Sequence, residues 1–350
     1  LFPRAAAMAA SSASSLQPQH ALPWVEKYRP RSVLDVSHQT EVVASLQAAI
    51  QSKNLPHLIF YGPPGTGKTS TILAAARTLF GSEFRQRCME LNASDERGIG
   101  IVRNKIKSFA QVAVGHGSVS SSGERLPPYK LIILDEADSM TSDAQSALRR
   151  TIETYSKVTR FCIICNYISR LIPPITSRCV KFRFKPLPHE AMIGRLNFIC
   201  EQEGVVGCDE AVLSELITQS EGDMRRAIQM LQSAHRLHGD AMTPQSILDI
   251  SGAVPIARVA DVFAKCRAND FDAMADTVAD LLADGYPTAQ FITQLLDYLI
   301  ANDTGLANMP KAKLAMALAE ADKQIVDGAS DYLQLMNVLA TLTRQLAAKA

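Results

Sequence analysis

Length and composition describe a globular chain with room for two or three domains. The sequence has 350 residues, of which 47% are hydrophobic and 20% charged, and its formal net charge is +1. A chain of this size buries enough apolar surface to fold without covalent cross-links. Its seven cysteines form no ladder of paired spacings, and no stretch is long and apolar enough to cross a bilayer. These properties argue against a disulfide-rich secreted module and against a membrane protein.

The charge is unevenly distributed along the chain. Between Ala144 and His189 nine lysines and arginines accompany a single acid, Glu153, whereas between Asn269 and Leu335 eleven acids accompany three lysines. The basic middle indicates an anionic partner that meets only the first half of the chain. Solvated helix faces would produce the same counts and remain the alternative interpretation.

The first 22 residues predict a disordered tail. They are rich in Ala, Ser and Gln and contain no acid, a composition that cannot bury enough apolar surface to fold. The sequence does not begin with methionine, and Met8 is a candidate start residue.

From about Asp35 to Leu187, strand-like and helix-like segments alternate. Five short apolar runs predict strands, at 57–61, 87–91, 130–134, 160–165 and 179–184, with helical periods between them, for example at 68–80 and 142–155. This alternation is typical of a parallel sheet covered on both faces. Cys162 and Cys165 fall within the fourth run, which favours two buried strand cysteines over a zinc site. After Pro186 and Pro188 the sequence pattern predicts helices and no further strands.

A phosphate-binding loop follows the first predicted strand. The segment GPPGTGKT, residues 62–69, matches G-x-x-x-x-G-K-[ST] between a strand and a helix. Its glycines allow backbone N–H groups to surround a phosphate, and the helix N-terminus adds partial positive charge. Lys68 would reach the β- and γ-phosphate oxygens, and the Thr69 hydroxyl would bind Mg²⁺. The expected nucleotide-binding residues here are Gly62, Pro63, Pro64, Gly65, Thr66, Gly67, Lys68, Thr69 and Ser70.

Asp135 and Glu136 directly follow the third predicted strand, in the segment LIILDEAD (131–138). Asp135 would hold Mg²⁺ through water, and Glu136 would act as general base on the attacking water. Asn166 ends the fourth strand and would orient that water. Each residue alone is common at strand ends, but their combination with the phosphate loop indicates ATP hydrolysis with Lys68, Glu136 and Asn166 as catalytic residues.

These motifs, in this order, resemble the AAA+ ATPases and, more narrowly, the small subunits of replication factor C, the eukaryotic sliding-clamp loader, most of all the fourth-subunit type. The resemblance runs from about Pro23 to the end and rests on PWVEKYRP (23–30), GPPGTGKTS (62–70), ELNASDERGI (90–99), LDEADSMT (134–141), TSRC (176–179) and EGDMRRA (221–227). It implies an α/β AAA+ P-loop domain with a parallel five-stranded sheet at 23–187, a helical lid at 188–250 and an all-α collar at 251–350.

The resemblance also implies roles that the residue types alone do not. Arg225 in the lid would reach the γ-phosphate, although by itself it would be interpreted as a surface helix arginine. Arg178 would act in trans, on the ATP of the neighbouring subunit, although by itself it would suggest a buried structural salt bridge. The residues implied to flank adenine are Val25, Tyr28, Arg29, Pro30 and Val36.

A helix expected to start near Gly98 carries the implied DNA and clamp contacts. Arg103 and Lys107 share one face, and Arg97 lies at the N-terminal end. Such groups suit phosphate oxygens rather than base edges, and the resemblance implies backbone contacts to DNA, although a solvated basic face is the alternative. On the opposite face, Ile106 and Phe109 form an apolar stripe; most such stripes are core, but the resemblance implies a clamp contact.

The resulting expectation is a Mg²⁺-dependent ATPase subunit of a nuclear clamp loader that acts in DNA replication and repair. Its expected partners are other replication factor C subunits in a hetero-oligomeric ring, a pentamer, together with the sliding clamp PCNA and primer–template DNA, with no membrane. One alternative is an AAA+ protein remodeller, which would be favoured by an aromatic–glycine pore loop not found after the second strand. Another is a non-hydrolysing scaffold, against which Lys68, Asp135, Glu136 and Asn166 argue.

Overall fold

The structure is a computed structural model that describes residues 22–35, 39–94, 99–111, 126–301 and 305–347. Five strands form its sheet, namely β1 Leu58–Tyr61, β2 Cys88–Asn92, β3 Lys130–Asp135, β4 Thr159–Cys165 and β5 Val180–Arg183. All neighbouring strands are parallel, in the order β2-β3-β4-β1-β5. The five predicted runs each coincide with one strand to within one residue at either end, so the predicted parallel sheet is confirmed.

Helices cover both faces of this sheet. The helices of this half of the chain are α1 Trp24–Lys27, α2 Thr40–Gln51, α3 Lys68–Phe80, α4 Phe84–Arg87, α5 Ile99–Gln111, α6 Ser142–Tyr155 and α7 Pro173–Thr176. Adjacent residues of β1 enter opposite cores, because side chains alternate along a strand. Phe60 packs with α2 and α3, whereas Ile59 packs with α5 and α6, and both are fully buried. Burial on both faces explains why the central strands read as continuous apolar runs.

The second half is helical and contains two further cores. Helices α8 His189–Glu203, α9 Glu210–Ser220, α10 Met224–His238 and α11 Pro244–Ser251 share the first core, which belongs to the lid. The second core, that of the collar, is shared by α12 Ile256–Ala268, α13 Phe271–Ala283, α14 Thr288–Ala301, α15 Asn308–Val326 and α16 Asp331–Ala347. Within the described part of the chain, no helix combines the length and apolarity needed to span a membrane.

Capping side chains fix where several of these helices begin. Asp209, Asp223, Thr243 and Asp270 each accept a hydrogen bond from a backbone N–H of the first turn. Such a cap typically stabilises a helix by about 1 kcal/mol, because it satisfies a donor that has no partner within the helix. The lid and collar helices therefore begin at positions that the sequence specifies locally.

The short helix α1 packs against the lid and not against the sheet. Trp24 is 8% exposed, and its backbone N–H donates to Gln232 Oε1 at 3.1 Å. Its ring centroid lies 5.7 Å from that of His235, and the Tyr28 hydroxyl donates to Glu203 Oε1 at 2.7 Å. The sequence grouped residues from 23 onward with the sheet domain, but the packing attaches this segment to the lid, because the chain's one tryptophan is buried in the lid core.

Cys162 and Cys165 are the buried strand cysteines that the sequence predicted. They lie in β4 and are 0% and 1% exposed. Burial raises the pKa of Cys165 to about 12, so its thiol stays protonated near neutral pH. A protonated thiol inside a sheet core packs as a small apolar side chain.

His57, just before β1, makes the fold sensitive to acid. Its Nδ1 accepts a hydrogen bond from the Phe161 backbone N–H at 3.1 Å. Burial, with a smaller contribution from Arg160, lowers the pKa of His57 from 6.5 to about 4. Between these two pH values the unfolded chain binds a proton here that the folded chain does not, so stability falls as the pH falls through this window.

We expect His57 to account for a loss of roughly 1–2 kcal/mol in the free energy of unfolding between about pH 7.5 and pH 4.5, a figure reduced for the partial exposure of the ring. The measurement is urea unfolding of the full-length chain at both pH values, for wild type and His57→Asn. The asparagine keeps an acceptor but does not titrate, so the variant should lose less stability on acidification. Equal losses in the two proteins would contradict the assignment.

Candidate functional site

The phosphate loop, residues 62–69, joins β1 to α3, and its conformation depends on its glycines. Gly62 has a φ of 145°, and a Cβ there would lie 2.2 Å from the Phe184 carbonyl oxygen. Gly67 has a φ of 89° and forms the N-cap of α3. Residues with side chains rarely adopt such conformations. The glycines thus let the loop curl tightly in front of the helix N-terminus, where an anion is favoured.

Lys68 is the first residue of α3 and is 8% exposed. Its Nζ donates to the carbonyl oxygens of Gly62 and Pro63, both at 2.8 Å, and to Asn166 Oδ1 at 3.0 Å. Burial lowers the pKa of Lys68, and the nearby Asp135 carboxylate opposes this effect. The ammonium group is thus positioned by neutral acceptors, and an anionic phosphate oxygen would be a stronger partner than any of them.

Thr69 and Asp135 supply adjacent oxygen atoms beside the loop. The Thr69 hydroxyl donates to Asp135 Oδ2 at 2.6 Å, and Asp135 Oδ1 accepts from the Glu136 backbone N–H at 2.9 Å. Hydroxyl and carboxylate oxygens are the hard ligands that Mg²⁺ prefers. The residues present therefore fit the predicted magnesium site.

Glu136 leaves the end of β3 in a left-handed conformation. Its φ is 54°, which is uncommon for a residue other than glycine and costs conformational free energy. The Ser139 hydroxyl stabilises the turn by donating to the Glu136 carbonyl oxygen at 2.7 Å. The exposed Glu136 lines the cavity described below, so its carboxylate is in reach of solvent and of a bound substrate.

Asn166 connects the ends of neighbouring strands. It follows β4, and the backbone N–H groups of Asn166 and Tyr167 donate to Asp138 Oδ2 at 3.2 and 3.3 Å. Asp138 belongs to the same acidic segment as Glu136. These bonds fix the loop after β4 relative to the general-base candidate, while the Asn166 side chain contacts Lys68.

A cavity of about 340 Å³ opens between the sheet and the lid. It brings together the predicted nucleotide-binding residues from separate segments. These are Val25, Tyr28, Arg29, Pro30, Pro64, Gly65, Thr66, Gly67, Lys68, Thr69, Ser70, Asp135, Glu136, Asn166 and Arg225. Gly62 and Pro63 contribute through the carbonyl groups that bind Lys68. Val36 lies outside the described residues.

Six further residues line the cavity and were not predicted, namely Asp35, Glu90, Leu187, Arg195, Met224 and Ile228. Arg195 Nη2 donates to the Tyr28 carbonyl oxygen at 2.6 Å, and burial lowers the pKa of Arg195. Burial raises the pKa of Glu90, and Arg29 opposes this. Glu90 and Met224 lie within the quoted segments 90–99 and 221–227, although neither was assigned to the nucleotide site. No local motif marks Asp35, Leu187, Arg195 or Ile228.

The lid meets the phosphate loop at Gly65. A Cβ at Gly65 would lie 1.9 Å from Asp223 Oδ1, and the residue has a φ of 68°. Asp223 caps α10 by accepting from the backbone N–H groups of Arg225 at 2.8 Å and Arg226 at 3.2 Å. This contact places the first turn of α10, with the exposed Arg225, against the phosphate end of the cavity.

Arg178 stands at the opposite edge of the sheet from this cavity. In the register of β5 with β1, Leu58 pairs with Val180 and Tyr61 with Arg183. The phosphate loop therefore begins beyond the C-terminal end of β1, whereas Arg178 precedes the N-terminal end of β5. The strand alone rises roughly 10 Å from Val180 to Arg183, and Arg178 lies before it. Arg178 is therefore too far from its own phosphate loop to contact a nucleotide there.

The Arg178 guanidinium is exposed and held by its own chain. Its Nη1 donates to the Pro174 carbonyl oxygen at 2.7 Å, and its Nη2 forms an ion pair with Glu153 Oε1 at 2.7 Å. Pro173 and Pro174 occupy the first positions of α7, which restricts the backbone before the arginine. The sequence alone suggested a buried salt bridge, but the side chains of this pair are 37% and 38% exposed.

An open groove of about 470 Å³ separates α5 from α6. Lys107 and Arg150 give it positive charge from its two sides. The rest of its lining is Asp143, Ser146, Ala147, Thr151, Thr154 and Tyr155. Cationic and hydroxyl groups together suit phosphate oxygens. Of the other predicted DNA contacts, Arg97 lies outside the described residues, and only the backbone of Arg103 is described.

The apolar stripe of α5 belongs to the core. Ile106 is 2% exposed and packs against the sheet, so the prediction of a clamp contact at Ile106 does not agree with this packing. Phe109 is half-buried beside the same core. Lys130 Nζ lies 4.6 Å from the Phe109 ring centroid and donates to the Phe109 carbonyl oxygen at 3.3 Å. This lysine fixes the C-terminal end of α5 to β3.

The sheet, the phosphate loop and the acidic strand end have a known counterpart. The family model described as "ATPase family associated with various cellular activities (AAA)" matches residues 58–187, which include Lys68, Asp135, Glu136 and Asn166. The solved structure of the Aeropyrum pernix ORC1 protein in complex with DNA has a TM-score of 0.51 at 19% identity, over 80% of this chain and 81% of its own, and supports the fold alone. The chain thus contains an AAA ATPase domain.

Two further family models and several similar proteins identify the family within this class. Models described as "RCF1/5-like, AAA+ ATPase lid domain" and "Replication factor C C-terminal domain" match residues 194–236 and 254–341. Replication factor C subunit 4 of Arabidopsis thaliana is 54% identical over 92% of this chain and 95% of its own length. The Homo sapiens subunit 4 is 52% identical over 97% and 93%, and subunit 2 of Saccharomyces cerevisiae 46% over 92% and 93%. The chain belongs to the replication factor C subunit family.

This membership confirms the main predictions from sequence. The chain is an ATP-binding ATPase subunit of the replication factor C type, and the likeness to the fourth-subunit type is supported by the Arabidopsis and human relatives. The predicted fold class, an AAA domain with a parallel five-stranded sheet, a helical lid and a helical C-terminal domain, is likewise confirmed.

Proposed function

We propose that this chain binds ATP with Mg²⁺ in the cavity below the lid and hydrolyses it within a nuclear, hetero-oligomeric ring of replication factor C subunits, a pentamer. ATP binding closes the ring and opens the sliding clamp PCNA. Entry of primer–template DNA triggers hydrolysis, which releases the closed clamp on DNA. The observation that carries this proposal is the separation of Arg178 from its own phosphate loop, at opposite edges of one sheet.

Within its own site the residues have distinct roles. Lys68 binds the β- and γ-phosphate oxygens, and Asn166, which contacts Lys68, orients the attacking water. The exposed Glu136 carboxylate takes the proton of that water as it attacks. Thr69 and Asp135 would hold Mg²⁺, which when bound neutralises charge on the phosphate oxygens.

The lid completes the site through Arg225. Its backbone is fixed by the Asp223 cap, and Asp223 touches the phosphate loop at Gly65. A γ-phosphate would therefore attract Arg225 while the lid rests on the loop. Loss of that phosphate removes the partner of Arg225 and so weakens lid closure.

Arg178 acts on the ATP of a neighbouring subunit. A guanidinium donated from outside neutralises the charge that builds on the transferred phosphoryl group. Its exposure and its place at the far edge of the sheet suit a contact in trans. Hydrolysis at the neighbouring site then depends on how closely this chain packs against it.

The basic groove between α5 and α6 is the proposed contact to the DNA backbone. Lys107 and Arg150 both line it, and Arg97 and Arg103 would extend the contact along α5. Binding to phosphates recognises duplex shape without sequence preference. Phe109, half-buried at the end of α5, remains the proposed clamp contact.

The test is Arg178→Ala in this chain alone, within the reconstituted complex with clamp and primed DNA. We expect a partial loss of ATP turnover. The loss should equal the part of the total turnover that the neighbouring ATP site contributes, because only that site receives Arg178. ATP binding to this chain's own site should stay normal. Arg236→Ala, a change of the same kind at an exposed position of α10, is the matched control and should leave turnover unchanged.

Unchanged turnover and assembly in Arg178→Ala would make the segment 176–179 a structural turn and refute the proposed role in trans. Loss of ATP binding at this chain's own site would equally contradict it, because Arg178 would then act locally.

A further inference from the structure

Glu153 is the one acid in the basic segment between Ala144 and His189, and it contacts the arginine proposed to act in trans. We propose that Glu153 is a positioning residue that orients Arg178 for the ATP of the neighbouring subunit. This inference rests on the proposed role of Arg178. Glu153 itself touches no nucleotide; it acts through the arginine.

The contacts of Arg178 fix its guanidinium at two points. One amino nitrogen, Nη1, donates to the Pro174 carbonyl oxygen at 2.7 Å, and the other, Nη2, pairs with Glu153 Oε1 at 2.7 Å. Two anchors on opposite arms of a planar group define its plane. Nη1 also donates to Ser177 Oγ at 3.4 Å. A guanidinium has five N–H donors, so the Nε–H and one Nη2 hydrogen are left to meet a phosphate.

Glu153 belongs to α6, whereas the Pro174 carbonyl belongs to α7. The guanidinium therefore bridges two helices. Helix α6 follows the acidic segment after β3, whereas α7 precedes β5. A long flexible side chain held between two helices loses its rotamer freedom before a partner arrives. Less entropy is then lost when it contacts the neighbour's phosphate.

Arg149 allows Glu153 to release Arg178 without becoming unpaired. Its Nε donates to the same oxygen, Glu153 Oε1, at 3.0 Å. The hydrogen bond from Arg149, followed by the charges of Arg149 and Arg178, lowers the pKa of Glu153, so the carboxylate stays ionised. If Arg178 shifts toward an incoming phosphate, Glu153 keeps a cationic partner. An exposed pair of this kind is weak, so it can guide the arginine without competing strongly with a triphosphate.

The experiment is Glu153→Gln in this chain, within the reconstituted complex with clamp and primed DNA. The glutamine keeps an acceptor oxygen but removes the charge that holds Arg178. We expect the part of the ATP turnover that depends on Arg178 to fall by roughly two- to fivefold, the range of an exposed ion pair. The KM for ATP and the assembly of the complex on size exclusion should not change.

Two further variants separate positioning from a structural effect. Glu153→Gln added to Arg178→Ala should cause no additional loss, because the arginine through which Glu153 acts is gone. Asp284→Asn, which removes the carboxylate from the exposed Arg258–Asp284 pair at 2.8 Å, is the matched control and should leave turnover unchanged.

The outcomes distinguish this inference from the proposed function. If Arg178→Ala lowers turnover but Glu153→Gln leaves it unchanged or raises it, Glu153 does not position the arginine and the inference fails alone. An additional loss in the double variant would show that Glu153 acts independently of Arg178, which also overturns it. If Arg178→Ala itself has no effect, the proposed role in trans fails first.

Discussion

Replacing Lys68 by alanine is expected to weaken ATP binding at this chain's site by about ten- to hundredfold, the range of a lost charge-assisted hydrogen bond, and to abolish turnover there. The buried ammonium is the one cation at the centre of the described loop, and its three acceptors leave it oriented toward the phosphate position. The measurements are equilibrium ATP binding and clamp loading onto primed DNA by the reconstituted complex.

Complex assembly should survive the Lys68→Ala change, because the lysine is buried within the phosphate site rather than exposed on the surface. The matched control is Lys157→Ala, at an exposed lysine just before β4 and thus at the opposite edge of the sheet; it should bind ATP like wild type. Clamp loading at the wild-type level by a Lys68→Ala complex would mean that ATP turnover in this subunit is dispensable and would favour a scaffold role.

Glu136→Gln should slow hydrolysis at this site by about 10²- to 10⁴-fold, the usual contribution of a general base, while ATP binding is retained. The glutamine preserves shape and the exposed position but cannot accept the proton of the attacking water. Turnover of the complex should therefore fall to the residual level of the Lys68→Ala complex, although this chain remains loaded with ATP. Rapid-quench hydrolysis and nucleotide binding on the same preparation measure both quantities.

Comparison with the Lys68→Ala complex isolates the contribution of this ATP site to turnover, because the complex contains several ATP sites. A further control, Glu190→Gln in the first turn of α8, changes an exposed glutamate that does not line the cavity and should have no effect. Wild-type turnover by the Glu136→Gln complex would exclude Glu136 as the base, and a loss of ATP binding would mean that the residue serves to bind the nucleotide.

The features that the sequence predicted well are those with strong local determinants. Helix α3 spans 68–80 as predicted, because Gly67 precedes it and Gly81 follows it, both with positive φ. Helix α6 spans 142–155 as predicted, because the Thr141 hydroxyl accepts from the Ala144 backbone N–H and so caps its start. The phosphate loop is likewise a contiguous motif whose chemistry can be read without knowing the fold.

The features that could not be predicted depend on contacts between distant segments. Arg195 binds the Tyr28 carbonyl across a sequence separation of 167 residues, and nothing around Arg195 distinguishes it from a surface helix arginine. Ile106, in contrast, lies in a clear local pattern that does not determine its contacts. Its stripe has the same pattern whether it faces a partner or the sheet, and only the packing of α5 against β3 and β4 decides that it is core.

Glu153 has one partner that could be predicted from the sequence and one that could not. The sequence shows that it is the single acid among nine basic residues, but not which of them it pairs with. Arg149 is four residues away on the same helix and could be anticipated. Arg178 could not, because its contact depends on where α7 returns to the end of α6.

The attachment of α1 to the lid has a consequence for how the protein distinguishes ATP from its product. Tyr28, beside the proposed base position, is tied to lid residues Glu203 and Arg195, and Arg225 at the phosphate end also belongs to the lid. In the proposed site the lid would therefore contact the nucleotide at the base and at the γ-phosphate, while the phosphate loop of the sheet domain would bind the phosphates from the other side. If these roles are correct, loss of the terminal phosphate would remove the contact of Arg225 but not the contacts near the base, so we expect the lid to rotate about the base rather than to separate from it.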